Sequence, residues 1–179
     1  MKKLLPYTFI ILFPYAVGFL ISSIFQPVLM EHIFHNNIYL GVLYLFGLWL
    51  IAFISAVIIC IWNMVNKKNS VESARMNMII KLVQIPAYLF IFATGLVCMI
   101  TIFTMGISFV LMLLDCASIL LSGLVGVSAV KRNHDVGILS GNEMILHGIL
   151  QFIFFADIIS SIMVFRKSKA KLSWLKLIN

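Results

Sequence analysis

Five long apolar runs divide the chain, and most polar residues lie between them. The runs cover residues 7–30, 38–65, 86–105, 107–130 and 144–165. Because a helix rises about 1.5 Å per residue, about twenty residues cross a hydrocarbon core of roughly 30 Å. The pattern therefore predicts an all-α, polytopic integral membrane helical bundle with four or five transmembrane helices.

Three prolines bear on where these helices begin and end. Pro14 should kink the first helix, and Pro27 should help to end it. Asn69 reads as an N-cap that opens a helix, which Pro86 should interrupt. The stretch 70–85 is then either an interfacial helix or an extension of the third span.

Composition supports a membrane protein. The 179 residues are 63% hydrophobic and 11% charged, more apolar surface than a soluble fold of this size can bury. We expect one membrane domain over residues 1–179, with the first run retained as a span rather than removed as a signal peptide. The sequence contains no pattern typical of a cofactor site, and we expect no cofactor.

Basic residues indicate the orientation. The thirteen Lys and Arg form four clusters, and the connections after the first and third runs contain none. The positive-inside rule then predicts a multi-pass protein of the cell membrane with a cytoplasmic N-terminus. Anionic lipid headgroups are the expected partners, and nucleic acid is not.

The fifth run conflicts with this rule. If 144–165 spans the bilayer, five basic residues end outside; if it does not, all thirteen stay inside. The length of the run favours a span, whereas the basic residues that follow it favour a cytoplasmic tail. The basic, amphipathic tail 166–179 should lie at the lipid surface, through Arg166, Lys167, Lys169, Lys171 and Trp174.

Two acids interrupt apolar runs. Asp115 and Asp157 are costly at membrane depth, and so they are candidate functional residues. With five spans both lie about 12 Å from the outer ends of their helices and could meet. Such a pair could serve as the catalytic dyad of an aspartyl hydrolase, carry a proton or bind a cation. Since no Lys or Arg lies within an apolar run, neither acid has a predicted buried counter-ion.

Small and polar residues follow Asp115 at helical spacing. Ser118, Ser122 and Gly126 form a stripe that lets helices approach closely and hydrogen-bond across the contact. A protonated Asp115 that only joins helices is the structural alternative to a functional role.

The first connection contains Glu31, His32 and His35. Two imidazoles three residues apart could bind zinc or copper on one helical turn. Without a third fixed ligand, the stretch is better interpreted as a solvated loop, and no metal site is expected.

Three stretches carry a resemblance to known proteins: Ile85-Pro86-Ala87-Tyr88, Leu114-Asp115 through Ser122-Gly123, and residues 147–154. In these stretches the second half of the chain resembles small uncharacterised membrane proteins of low-GC Gram-positive bacteria. The resemblance implies a bacterial plasma-membrane protein and brings no activity.

A shorter likeness concerns a protease family. The pair Ala156-Asp157 resembles a motif of the lipoprotein signal peptidases, which are membrane aspartyl proteases. Phe154, Met112 and Cys116 stand where that family has Asn, Asn and Arg. These departures leave the catalytic role without support.

The sequence favours a small non-enzymatic integral membrane protein with a binding, transport or accessory role. One alternative is an intramembrane aspartyl hydrolase that uses Asp115 and Asp157. Another is a membrane immunity or stress protein. A membrane-protein partner or a second copy of the chain is a further expected contact.

Overall fold

The computed structural model describes residues 5–65 and 70–178. This part of the chain is helical and contains no strand, which confirms the all-α prediction. Lys2, Lys3, Lys67, Lys68 and the expected N-cap Asn69 lie outside the described residues. The helices are α1 (Leu5–Phe25), α2 (Pro27–Phe34), α3 (Ile38–Val65), α4 (Ser70–Cys98), α5 (Met105–Asp135), α6 (Gly141–Leu150) and α7 (Ala156–Ile178).

Four of the described helices are long and apolar enough to cross a membrane. They are α1, α3, α4 and α5, which have 21 to 31 residues each. At about 1.5 Å per residue, even the shortest matches a core of roughly 30 Å. The chain is therefore a multi-pass membrane protein with four candidate spans.

The prediction that a fifth span can form as one continuous helix is wrong. Residues 144–165 are divided between α6 and α7, which are separated by the non-helical stretch 151–155. Phe155 has a φ of 63°, in the left-handed region, which ends the helical path. A helix that reverses here cannot cross the bilayer as one rod.

Pro86 does not interrupt a helix, contrary to the prediction. α4 runs through it from Ser70 to Cys98, so residues 70–85 extend the third span and do not form a separate interfacial helix. Pro27 behaves as expected, because α1 ends at Phe25. Pro27 then opens α2 at a position where its missing N–H is not needed.

Pro14 lies inside α1 and cannot donate to the carbonyl of Ile10. The side chain of Gln84 replaces the missing donor, since its Nε2 donates to Ile10 O at 2.9 Å. Both residues are fully buried. A glutamine on α4 thus satisfies the backbone group that a proline on α1 exposes.

The chain divides into two compact units. The first comprises Met1–Ile54 and Gln84–Ser118, and the second comprises Ser55–Val83 and Ile119–Asn179. In the first, buried α1 side chains such as Phe13 and Val17 belong to an apolar core. The second has a small apolar cluster around Val130 and Val164 and many buried polar side chains. A single membrane domain remains a prediction.

Candidate functional site

α6 and α7 form a helical hairpin at the centre of the second unit. A capping box opens α6: Ser140 Oγ accepts from the Glu143 N–H, and the Glu143 carboxylate accepts from the Ser140 N–H. The two helices run antiparallel, because Glu143 near the start of α6 pairs with Lys167 well along α7. The tip of the hairpin is therefore the stretch 151–155.

Lys81 of α4 meets this tip. Its Nζ lies 2.6 Å from Asp157 Oδ2 and donates to Ser122 Oγ at 2.8 Å and to Gln151 O at 3.3 Å. The side chains of Lys81 and Asp157 are 0% and 4% exposed. An ammonium has three N–H donors, so each donor of Lys81 has an acceptor. The pair is a buried, fully hydrogen-bonded ion pair.

The ends of the two hairpin helices suit these charges. Asp157 lies in the first turn of α7, where the positive end of the helix dipole stabilises a carboxylate. Gln151 is the C-cap of α6, where the negative end of the dipole favours a cation. The break in the hairpin thus presents an anion and a carbonyl oxygen to the same lysine.

The ion pair lies well inside a candidate span. Lys81 is eleven residues after Ser70, the first residue of α4, which corresponds to about 17 Å along the helix axis. The whole 29-residue helix is about 43 Å long, and the hydrocarbon core is about 30 Å thick. If the core is centred on α4, Lys81 lies roughly 10 Å inside it.

Gln151 connects the ion pair to further polar groups. Its Oε1 accepts from Asn77 Nδ2 and Ser161 Oγ, each at 3.3 Å. Its Nε2 donates to Ser160 Oγ at 3.1 Å, and Ser160 Oγ lies 2.9 Å from His147 Nδ1. These side chains form a buried hydrogen-bonded chain that leads from the ion pair along α6.

A glycine provides the space for this glutamine. A Cβ atom added to Gly126 of α5 would lie 2.1 Å from Gln151 Oε1. A Cβ atom added to Gly123, one turn earlier, would likewise lie too close to the ring of Phe152. The small residues of α5 in this unit therefore determine how closely the hairpin tip approaches.

His147 lies on α6, outside the four candidate spans. Burial and the nearby Lys167 lower the pKa of its imidazole below 6.5, and Glu143 opposes this change. At the exposed start of the same helix, the hydrogen bond from Lys167 lowers the pKa of Glu143. The neutral imidazole is thus the favoured form of His147 near neutral pH.

Chemically, the ion pair can exchange a proton. The Lys81 ammonium can pass one proton to Asp157 Oδ2, which converts the ion pair into a neutral amine and a neutral carboxylic acid, and the reverse transfer restores the charges. Ser122 has a lysine partner, as in serine–lysine hydrolases, and the same lysine also contacts the Asp157 carboxylate. The arrangement can therefore hold and exchange a proton between two buried groups.

Asp115 is not part of this constellation. It belongs to the first unit, where its Oδ1 is buried and has no hydrogen-bond partner among the described residues. The prediction that Asp115 and Asp157 lie at one level assumed a continuous fifth helix, and that helix is broken. The hydrolase hypothesis remains a prediction, and the lysine partner of Asp157 counts against it.

The predicted packing stripe on α5 is buried. Ser118 donates to Leu114 O at 3.0 Å and lies in the first unit. Ser122 accepts from Lys81, and Gly126 faces Gln151, both in the second unit. The role of the stripe in helix packing within a membrane stays a prediction.

The remaining predicted residues are exposed. Glu31 and His32 lie on α2 and His35 is its C-cap; no group of three His, Cys, Asp or Glu in the described residues could hold a metal ion. The lipid-surface residues all lie on α7 and are exposed, and two of them have partners: Lys167 pairs with Glu143, and Lys171 donates to Gly137 O. The set is Arg166, Lys167, Lys169, Lys171 and Trp174.

Sequence reasoning missed Lys81, and the prediction that Asp157 has no buried counter-ion is wrong. The sequence places Lys81 before the apolar run 86–105, because Pro86 is predicted to interrupt the helix there. A helix that continues through Pro86 places Lys81 inside the bundle. Its spacing from Asn77 and Gln84, one turn away on either side, is the pattern that could have revealed a buried polar face.

No protein-family profile, curated protein or solved structure matches this chain. The resemblance to small membrane proteins of low-GC Gram-positive bacteria therefore stays a prediction. The immunity or stress role also stays a prediction.

Proposed function

We propose that this chain is a non-enzymatic transport protein of the cell membrane that carries protons through the Lys81–Asp157 pair. The observation that supports this most directly is the 2.6 Å contact between two nearly inaccessible charged groups, one of them deep within a candidate span. Ionisable groups at such depth are costly and commonly mark ion pathways or proton relays.

A purely structural role would not need charges. Neutral side chains already join helices in the second unit, as where Asn63 Nδ2 donates to Ser128 Oγ at 2.9 Å and Asn77 Nδ2 to Ser161 Oγ at 2.9 Å. Burying an ion pair carries a large desolvation cost, and an apolar replacement is often as stable or more so. The charges therefore favour a function over simple adhesion between helices.

The broken hairpin supports the same proposal. In membrane transporters, discontinuous helices bring helix ends, with their dipoles and unpaired backbone groups, to a buried ion site. Here the C-cap carbonyl of Gln151 and the first turn of α7 both meet Lys81. The side chains of Gln151, Ser160 and His147 continue the buried polar contacts from this site along α6.

In the orientation we propose, the end of α5 and the later part of α7 both lie at the cytoplasmic face. Ser168 donates to Asn133 Oδ1 and Lys171 to Gly137 O, so α7 returns to the end of α5. The basic tail then lies on the same face as Lys131 and Arg132. This arrangement satisfies the positive-inside rule for every basic cluster and supports a cytoplasmic N-terminus.

Proton flux into vesicles tests the proposal. The purified chain is reconstituted into phosphatidylcholine vesicles that contain a trapped pH-sensitive dye. A potassium gradient with valinomycin then drives protons inward. We expect the parent chain to acidify the vesicles faster than protein-free vesicles, and Asp157→Asn to reduce the excess rate at least tenfold. Asp157→Glu, which keeps the carboxylate, should retain part of it.

Asp135→Asn is the matched control, because Asp135 is an exposed acid at the end of α5. It should leave the rate unchanged. The proposal is wrong if the parent chain acidifies vesicles no faster than lipid alone, or if folded Asp157→Asn protein is as fast as the parent. Size-exclusion profiles that match the parent identify folded variants.

A further inference from the structure

The first unit contains a large apolar cavity. Its volume is about 660 Å³, it is partly open, and its walls are almost entirely hydrocarbon. Three helices line it: α1 between Phe13 and Phe25, α3 between Ile38 and Trp49, and α5 between Gly106 and Ala117. The volume falls within the range of about 300–1,000 Å³ that is typical of ligand sites.

The cavity lies at one face of the membrane. If the four candidate spans α1, α3, α4 and α5 each cross once, the end of α1, the start of α3 and the start of α5 share a face. These are the helix ends that line the cavity. Its walls therefore belong to a single leaflet, next to the connections 26–37 and 99–104.

The height of the cavity matches that leaflet. The lining stretches of α3 and α5 each extend over eleven residue steps, or about 17 Å of helix. One leaflet contributes about half of a hydrocarbon core of roughly 30 Å. An occupant of this height and chemistry is a single hydrocarbon chain, which can leave its polar end at the membrane surface.

We propose that this cavity binds one acyl chain of a membrane phospholipid. The bilayer supplies such chains at high concentration along the open side of the cavity. A polar solute would find no hydrogen-bonding partners in the walls and is disfavoured. The inference is independent of the proton-transport proposal, because Lys81 and Asp157 belong to the second unit.

Photo-crosslinking tests this site directly. The full chain is reconstituted into vesicles of phosphatidylcholine and phosphatidylglycerol that contain a trace of phosphatidylcholine with a diazirine midway along one acyl chain. After irradiation, mass spectrometry locates the label on α5. We expect Leu111 and Leu114, which line the cavity and are not exposed, to carry at least three times the label of Phe109 and Leu113, which are exposed but do not line it.

Two neighbouring small residues provide a matched pair of variants. Ala117 lines the cavity, whereas Cys116 is exposed and does not. Ala117→Phe should reduce the cavity label at least threefold, and Cys116→Phe should leave it unchanged. Gly106→Leu is a second filling variant that adds its Cβ in open space, so it tests the site if Ala117→Phe does not fold.

Three results would overturn the proposal. One is equal labelling of the two faces of α5 in the parent chain. Another is undiminished cavity label in folded Ala117→Phe and Gly106→Leu. The third is a dimer in detergent, by light scattering, that Ala117→Phe dissociates, because a second copy would then fill the cavity.

Discussion

Removal of the lysine alone should strongly destabilise the chain. Lys81→Met keeps the length of the aliphatic stem and removes the ammonium. Asp157 then remains buried without a counter-ion, and Ser122 Oγ and Gln151 O lose a donor. The perturbation thus converts a satisfied polar site into one with an uncompensated charge.

The magnitude follows from the geometry. Breaking a buried ion pair from one side costs about 3–5 kcal/mol, because the remaining charge is left unpaired. Lys81→Met with Asp157→Leu removes both charges and should recover part of that loss. The lost hydrogen bonds to Ser122 and Gln151 still cost about 1 kcal/mol each in the double variant. The single variant should therefore be less stable than the double variant by about 1–3 kcal/mol.

Thermal unfolding in mild detergent measures the effect through the buried thiol of Cys98, which reacts with a fluorogenic maleimide when the chain unfolds; Cys60 and Cys116, which are not buried, are replaced by serine in every variant. For a chain of this length, 1 kcal/mol corresponds to about 2–4 °C in Tm. We expect Lys81→Met to lower Tm by roughly 6–20 °C. The reasoning is refuted if Lys81→Met changes Tm by less than about 1 °C, or if the double variant is less stable than the single one.

Three further predictions concern other contacts. Because burial lowers the pKa of His147, its contribution to stability is complete above pH 6.5 and is lost as the pH falls through the lowered pKa. Thus His147→Gln should weaken the acid dependence of Tm, and an unchanged pH profile would contradict this. Gly126→Ala should lower the stability by about 1–3 kcal/mol, because the added Cβ clashes with the buried side chain of Gln151. Gly47→Ala is the control and should be neutral or stabilising, because the space around its Cβ is open. Equal Tm values for the two variants would exclude the clash. Gln84→Leu should lower the stability by about 1–3 kcal/mol, because it leaves the buried carbonyl of Ile10 without a donor. Pro14→Ala should reduce that loss, because it restores the helix N–H that bonds to this carbonyl. A double-mutant cycle of Tm values that shows no coupling between the two changes would contradict this prediction.

The sequence predicts the spans well because hydrophobic length is a local property. The apolar run 38–65 coincides with α3, and the start of α2 at Pro27 follows from the missing N–H of proline. The break at 151–155 could not be predicted in this way, since that stretch contains neither Gly nor Pro. It depends on contacts with α4, where Lys81 binds Gln151 O and the carboxylate of Asp157.

Only one member of the ion pair could therefore be predicted from the sequence. Asp157 attracts attention because an acid interrupts an apolar run. Lys81 does not, because it belongs to a basic cluster with Lys67, Lys68 and Arg75, and Pro86 after it suggests a helix end. Only tertiary packing shows that Lys81 faces Asp157, 76 positions later in the chain.

The hairpin of α6 and α7 has a consequence for how the chain is inserted into a membrane. Because the hairpin reverses at residues 151–155, Arg166 and the lysines after it return to the side from which α6 begins. In the orientation proposed above, none of these cations has to be translocated after the fourth span has entered the bilayer. The insertion machinery would then handle two pairs of apolar helices, and the last two helices would dock from the side on which they are synthesised.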